Sequence, residues 1–241
     1  MLISVIIPAY NEEMYLRETL RSIQGAKEFL LKKDAVPTEI IVVDNDSTDS
    51  TSDLARSCGA SVVEEPKRNI ARVRNAGANY AKGDVLVFID ADTIVPDQLL
   101  WRINQAMASP SCFGGAVDTV YRPAKTLVKI YLQWWRILGK FAGMVQGATQ
   151  FFRRDVYASL LGYDESLYMG EDVDFHWRLK QFAKQHNAGV CFIEDIQVVP
   201  SARRFDQWSF WRTLIWTNPI FVLAFRRKGR AWRGWYRVIP R

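Results

Sequence analysis

Leu2 to Pro8 is a short continuous apolar run rich in Ile and Val. Such a run predicts a strand covered on both faces, and Glu13 to Ile23 then predicts a helix. The alternation continues with strand at Glu39 to Asp44, helix at Asp53 to Ser57, a short strand at Ser61 to Glu64, helix at Ala71 to Ala81 and strand at Val85 to Asp90. Strands alternating with helices build βαβ units and a largely parallel sheet. Beyond Pro96 the pattern is less regular. It predicts a helix over Asp97 to Ala108, a strand over Gly114 to Tyr121, an aromatic-rich helix over Ala124 to Phe141 and a return to the sheet over Gly147 to Phe152. Gly170 to Phe182 reads as an amphipathic helix whose first turn holds Glu171, Asp172 and Asp174, which suits the helix dipole. A final strand covers Gly189 to Val199.

In open α/β sheets ligands bind beyond the carboxyl ends of the strands. Those positions are unusually polar here: Pro8-Ala9-Tyr10-Asn11-Glu12 after the first strand, Asp44 to Asp49 after the second, and Asp90-Ala91-Asp92 after the fourth. Together they line one rim of the sheet with carboxylates. Asp90 and Asp92, two apart, can aim at one hard cation and its phosphate ligands, since Mg²⁺ and Mn²⁺ favour one or two carboxylates plus phosphate and water oxygens. Taken alone, the pair reads as a solvated turn with a helix cap, and only its context favours the cation.

At 241 residues the chain can bury a substantial core, and one domain suffices. With 49% hydrophobic and 24% charged residues and no repeat, disorder is excluded as the default. Cys58, Cys112 and Cys191 are odd in number and far apart, which argues against a disulfide framework or zinc site and predicts buried thiols in a reducing compartment. The N-terminus lacks the basic region and cleavage site of a signal peptide, so a cytoplasmic protein is expected. Charge is uneven: residues 203 to 241 hold ten Lys and Arg against one acid, the rest 22 basic against 25 acidic side chains. A basic tail on a near-neutral body marks an anionic partner, nucleic acid or membrane surface.

Four segments occur in order: Ser4-Val5-Ile6-Ile7-Pro8-Ala9-Tyr10-Asn11-Glu12; Val42-Val43-Asp44-Asn45-Asp46-Ser47-Thr48-Asp49; Arg74-Asn75-Ala76-Gly77 leading to Phe88-Ile89-Asp90-Ala91-Asp92; and Gly170-Glu171-Asp172-Val173-Asp174. In this order they resemble the family 2 glycosyltransferases of the GT-A fold, over roughly residues 2 to 205. The resemblance implies an α/β, Rossmann-like fold with a mostly parallel central sheet flanked by helices. Residues 1–205 would form the transferase domain, with about 1–110 binding the nucleotide-sugar and 111–205 the acceptor.

By that resemblance Pro8, Tyr10 and Glu12 border the nucleoside, Asp44 bonds the base, and Arg74 approaches base or diphosphate. Asp90 faces ribose and diphosphate, Asp92 ligates Mn²⁺ or Mg²⁺ directly, and Asp172 is the general base, supported by Glu171. For Asp44 a turn acid, for Arg74 a surface cation and for the acids of 171–174 simple dipole complementation remain the alternatives; Asp174 reads best as a cap. Gln146 to Gln150 falls where the family shapes its acceptor pocket, Gly147 allowing close backbone approach. Family members often carry a His after the last strand. Here that stretch reads Val198 to Arg204, which leaves Arg203 or Arg204 for the diphosphate, and His176 reads as a structural helix residue. UDP or GDP is the expected nucleotide. A dinucleotide Gly-rich loop and any recognisable nucleic-acid module are missing from the sequence.

Residues 206–241 read as an amphipathic basic and aromatic extension: Trp208, Trp211, Trp216, Trp232 and Trp235 are interleaved with arginines. Trp with Arg is the composition of a membrane-interfacial segment, and the apolar run Ile220 to Phe225 is far too short to cross a bilayer, for which about 20 residues are needed. The expected setting is the inner face of the plasma membrane, with a lipid-linked, sugar or small hydroxyl acceptor and room for a homodimer. The helix from Lys125 to Phe141 serves either that surface, a core or a dimer contact. A nucleotidyltransferase and a non-catalytic sugar-nucleotide or membrane-binding protein are the other readings.

Overall fold

The computed structural model describes residues 1–141 and 147–232. In chain order it contains β1 (Ile3–Ala9), α1 (Glu13–Asp34), β2 (Thr38–Asp44), α2 (Thr51–Ser57), β3 (Ser61–Glu64), α3 (Ile70–Tyr80), β4 (Val85–Ile89), β5 (Thr93–Ile94) and α4 (Leu99–Met107). There follow β6 (Cys112–Thr119), α5 (Thr126–Phe141), β7 (Thr149–Arg153), α6 (Arg154–Ser159), α7 (Glu171–Gln185), β8 (Gly189–Pro200), α8 (Arg203–Gln207), α9 (Phe210–Trp216), α10 (Pro219–Phe225) and a 3₁₀ turn at Gly229–Trp232.

The strands lie in the order β3-β2-β1-β4-β7-β6-β8-β5. The first four are mutually parallel, β7 runs antiparallel to both β4 and β6, β8 is parallel to β6, and β5 is antiparallel to β8. Period-two alternation divides the core. Ile3, Val5 and Ile7 of β1 face a layer built from Leu16, Leu20 and Ile23 of α1 with Leu99 and Ile103 of α4. Ile6 faces the opposite layer, where Val73 of α3 and Phe175 of α7 meet an aromatic group of Phe88, Phe152, Tyr157 and Tyr163. Burying each such apolar side chain contributes about 1.5–3 kcal/mol.

Helix α1 continues eleven residues past the expected Ile23, because Ala26 and Leu30 extend its buried stripe. That burial outweighs the cost of about 1 kcal/mol for Gly25 inside a helix. The short β5 and α6 were not foreseen. Cys112 on β6 and Cys191 on β8 form a disulfide with a Cα–Cα distance of 6.1 Å, and Cys58 is free and exposed, which corrects the expectation of three buried thiols. Seventy-nine residues separate that pair, and only the β6–β8 pairing brings them together.

The tail divides its tryptophans between interior and surface. Trp208 and Trp232 are buried. Trp216 bridges them at ring distances of 5.6 Å each, and the Arg212 guanidinium lies 4.9 Å from the Trp208 ring. Arg next to Trp therefore serves intramolecular stacking as much as an interface, a difference composition does not reveal. Trp211 stays exposed; Trp235 lies outside the described residues. No helix among the described residues is long and apolar enough to cross a membrane.

Candidate active site

Four backbone devices gather one cleft of about 330 Å³ at the carboxyl rim of the parallel strands. The β1 strand delivers Pro8, Tyr10 and Glu12, and β4 ends at Asp90. Because β7 pairs with β4, the Asp90 N–H donates to the Ala148 carbonyl at 3.2 Å, and the preceding Gly147 lies against the Asp172 carboxylate. Because β5 pairs with the end of β8, the Ser201 N–H donates to the Asp92 carbonyl at 2.9 Å, and Arg203 and Arg204 follow into the cleft. Helix α7 points its N-terminus at the same space, starting from Gly170 at φ +72°, a left-handed conformation that glycine adopts without a Cβ penalty.

Arg74 crosses from α3 to tie these parts together. It is buried, donates to Glu171 Oε1, and donates to Asp90 Oδ1 at 3.0 Å. Burial opposes its charge, but Glu171 and Asp90 overcome this and raise its pKa further. The Glu171 carboxyl is pushed up to about 7, first by burial, with Arg74 pulling against it and Asp172 adding to it. Asp172 and Asp90 are also raised, again chiefly by burial and against the pull of Arg74.

Arg203 forms the second ionic centre. Its Nη1 donates to Glu12 Oε2 at 2.9 Å, its Nη2 donates to Glu12 Oε1, and the same Nη2 lies 3.1 Å from Asp92 Oδ2. Burial pushes Asp92 up to about 7; Arg203 opposes this, and Glu12 and Asp90 reinforce it. Among the described residues no group of three or more His, Cys, Asp or Glu side chains forms a complete metal cage. The donor set nonetheless fits a divalent cation that brings its own phosphate oxygens, because a guanidinium already stands in for a cation between Glu12 and Asp92.

The other predicted positions fall out unevenly. Pro8, Tyr10, Glu12, Arg74, Asp90, Asp92, Glu171, Asp172 and Arg204 all line the cleft. Asp44 does not. Its carboxylate accepts from the Ser47 N–H at 3.2 Å and the Ser52 hydroxyl at 2.7 Å, and the neighbouring Asn45 lines the cleft instead. Asp174 is no cap: it pairs with Arg178 at 3.0 Å and Arg226 at 3.4 Å, joining α7 to the residues after α10. His176 is buried away from the cleft, and burial pushes it down to about 4. Gln146 lies outside the described residues. Among the cleft residues that were missed are Arg68, whose guanidinium sits 3.3 Å from the Tyr10 ring centre, and Tyr121. Both follow strand ends, so the rim rule applied to β3 and β6 would have found them.

A profile of glycosyl transferase family 2 matches residues 4–161. The chain belongs to that family. Among curated family relatives it is 25% identical over 217 residues to glycosyltransferase AglE of Haloferax volcanii, which covers 85% of this chain and 68% of AglE. It is 36% identical over 109 residues to an undecaprenyl-phosphate 4-deoxy-4-formamido-L-arabinose transferase of Pseudomonas fluorescens, covering 42% of this chain and 31% of that protein. Against the probable glycosyltransferase YdaM of Bacillus subtilis, 25% identical, the chain spans 87% of itself and about half of the relative, 52%.

Two solved structures show the same GT-A fold. The mannosyltransferase PcManGT of Pyrobaculum calidifontis, in complex with GDP-Man and Mn²⁺, aligns at a TM-score of 0.62 and 24% identity over 82% of this chain and 56% of that one. The glucosyl-3-phosphoglycerate synthase of Mycobacterium tuberculosis, in complex with Mn²⁺, UDP and glucosyl-3-phosphoglycerate, aligns at 0.60 and 20% identity over 94% and 80%. Glu171 and Asp172 lie beyond the segment matched by the family profile, and both line the cleft.

Proposed function

We propose that the chain transfers a sugar from a nucleoside-diphosphate donor, UDP- or GDP-linked, to a hydroxyl of a lipid-linked or membrane-proximal acceptor, with inversion. The observation that carries this reading is the presence in one cleft of the Asp90/Asp92 pair, four arginines (Arg68, Arg74, Arg203 and Arg204) and the Asp172 carboxylate. Pro8, Tyr10 and Arg68 would border the nucleoside, and Arg203 and Arg204 the diphosphate. Asp92, with Asp90 beside it, would hold Mn²⁺ or Mg²⁺, and bound there the ion would act as a Lewis acid on the departing diphosphate.

In the step itself the acceptor oxygen forms its bond to the anomeric carbon as the bond to the diphosphate oxygen breaks. The electron pair leaves with the diphosphate, and Asp172 takes the hydroxyl proton. Burial suits it to this task, because a carboxylate held above its ordinary range is a stronger base. The α7 N-terminus and Arg74 oppose that rise. Residues 1–205 would form the transferase domain. The exposed Trp211, Ile215 and Ile220 of the tail, with Leu127, Ile130 and Trp134 on α5, support peripheral contact with an anionic membrane.

The first test is thermal: UDP, GDP, CDP and dTDP, each with and without Mn²⁺, on the wild type and Asp92→Ala. One nucleotide is expected to stabilise the wild type by about 2.7 kcal/mol at a hundred times its Kd, and only with metal. Asp92→Ala should lose the metal-dependent part. A wild type unmoved by every nucleotide would sink the reading.

Gly147→Ala gives a second expectation. A Cβ there would overlap the Asp172 carboxylate, so the base must move while the fold and donor site remain. Turnover should fall by up to about 10²-fold with the nucleotide Kd unchanged, because misplacing a reacting group by roughly 1 Å costs that much. Parallel calorimetric titration and initial-rate measurements check both halves; equal rates would remove Asp172 from the reaction.

A further inference from the structure

A second cavity of about 270 Å³ opens beside the first. Tyr121, Gly147, Met169, Gly170, Asp172 and Phe205 line both, so the Asp172 carboxylate stands at the junction. The two spaces differ in chemistry. The first is lined by arginines and carboxylates, as an anionic nucleotide requires. The second has walls of Leu132 and Trp135 from α5, Trp177 from α7, Phe192 from β8 and Val222 and Leu223 from α10.

The charged groups in those walls already have partners. Arg136 donates its Nε to Asp118 Oδ1 at 2.9 Å and its Nη2 to Asp118 Oδ2, and Arg226 reaches Asp174 at 3.4 Å. A polyanion or a string of sugars would have to compete for them, whereas a hydrocarbon would leave them undisturbed. Leu223, Phe192 and Trp177 line the cavity yet remain 52%, 40% and 37% exposed. Large apolar side chains held around an open space gain free energy when an apolar ligand covers them.

We infer that this second cavity is an acceptor subsite that holds the hydrocarbon chain of an amphiphilic acceptor and so presents its hydroxyl to Asp172. The assignment rests on the transferase reading and deepens it, because it gives the acceptor an apolar chain and names Trp177, Val222 and Leu223 as residues that select it. A chain fits better than a compact polar acceptor because the apolar wall runs from the reacting carboxylate out to the exposed Leu223.

The test uses n-alkyl glucosides from butyl to nonyl, titrated calorimetrically below their micelle concentrations against the full chain with donor nucleotide and metal present. Each added methylene is expected to tighten binding by up to about fourfold in the wild type, the value for a fully buried CH₂. Leu223→Asp should flatten that dependence while keeping the nucleotide-induced thermal shift. Should Leu223→Asp fail to fold, seen as loss of that shift, Trp177→Ser carries the same comparison. Binding independent of chain length, or a dependence that both variants leave intact, overturns the subsite. Loss of nucleotide binding by the wild type instead overturns the transferase reading, so the two failures are distinct.

Discussion

Asp172→Asn is expected to lower turnover by roughly 10²–10⁴-fold, the span that general-base catalysis contributes. The nucleotide Kd and the melting temperature should stay close to wild type, because asparagine keeps the shape and removes only the proton-accepting charge. The pH profile supplies an independent readout. Burial holds the Asp172 and Glu171 carboxyls above their ordinary values, Glu171 at about 7. A base works only when deprotonated, so kcat/KM should rise with pH through a limb above the ordinary Asp value. A limb at ordinary carboxylate pH would reject the buried base, as would an asparagine variant of normal rate.

Arg74→Met should have the largest effect on stability. The guanidinium is the buried cation shared by Glu171 and Asp90, and removing one partner from a buried ionic group costs about 3–5 kcal/mol. For a chain of this size that is a fall in Tm of roughly 6–20 °C. The sign of its pH dependence follows from linkage. Glu171 titrates at about 7 in the folded state and at its model value of 4.5 when unfolded, so between these values the folded protein binds more protons. Stability from this group is therefore fully present below 4.5 and is lost as pH rises through 7. Without Arg74 the folded carboxyls rise further, so the deficit of the variant should shrink on acidification from pH 7 towards about 5. Denaturant melts of both proteins across that range measure it, and a constant gap would show that packing, not charge, is what Arg74 supplies.

The parallel half of the molecule was legible because each strand is a short apolar run and each carboxyl end is polar. Ser61–Glu64 matched the strand predicted from the sequence, and the rim rule led to Glu12, Asp90 and Asp92. What could not be read is what depends on pairing between distant segments. Nothing local in Thr93–Ile94 says that it meets the end of β8, so Arg203 was one of two arginines weighed for the diphosphate rather than the partner of Glu12 and Asp92. The reversed direction of β7 was hidden likewise, because an apolar run looks the same in either orientation. Asp44 makes the contacts that the turn-acid alternative expected. Its serine-rich surroundings supplied the hydroxyl and N–H that now hold the carboxylate in a turn.

Arg203 meets Glu12 across 191 residues of sequence. As the chain leaves the ribosome, β1, β2 and β4 can pair long before that arginine exists, since amino-terminal units generally fold first. The acidic rim would then stand without the Arg203 guanidinium that meets both Glu12 and Asp92, whose like charges disfavour each other. Synthesis of α8 would finish the cleft and relieve that repulsion together. A nascent chain halted before α8 should therefore hold a folded sheet but gain stability from added divalent salt more strongly than the finished protein does.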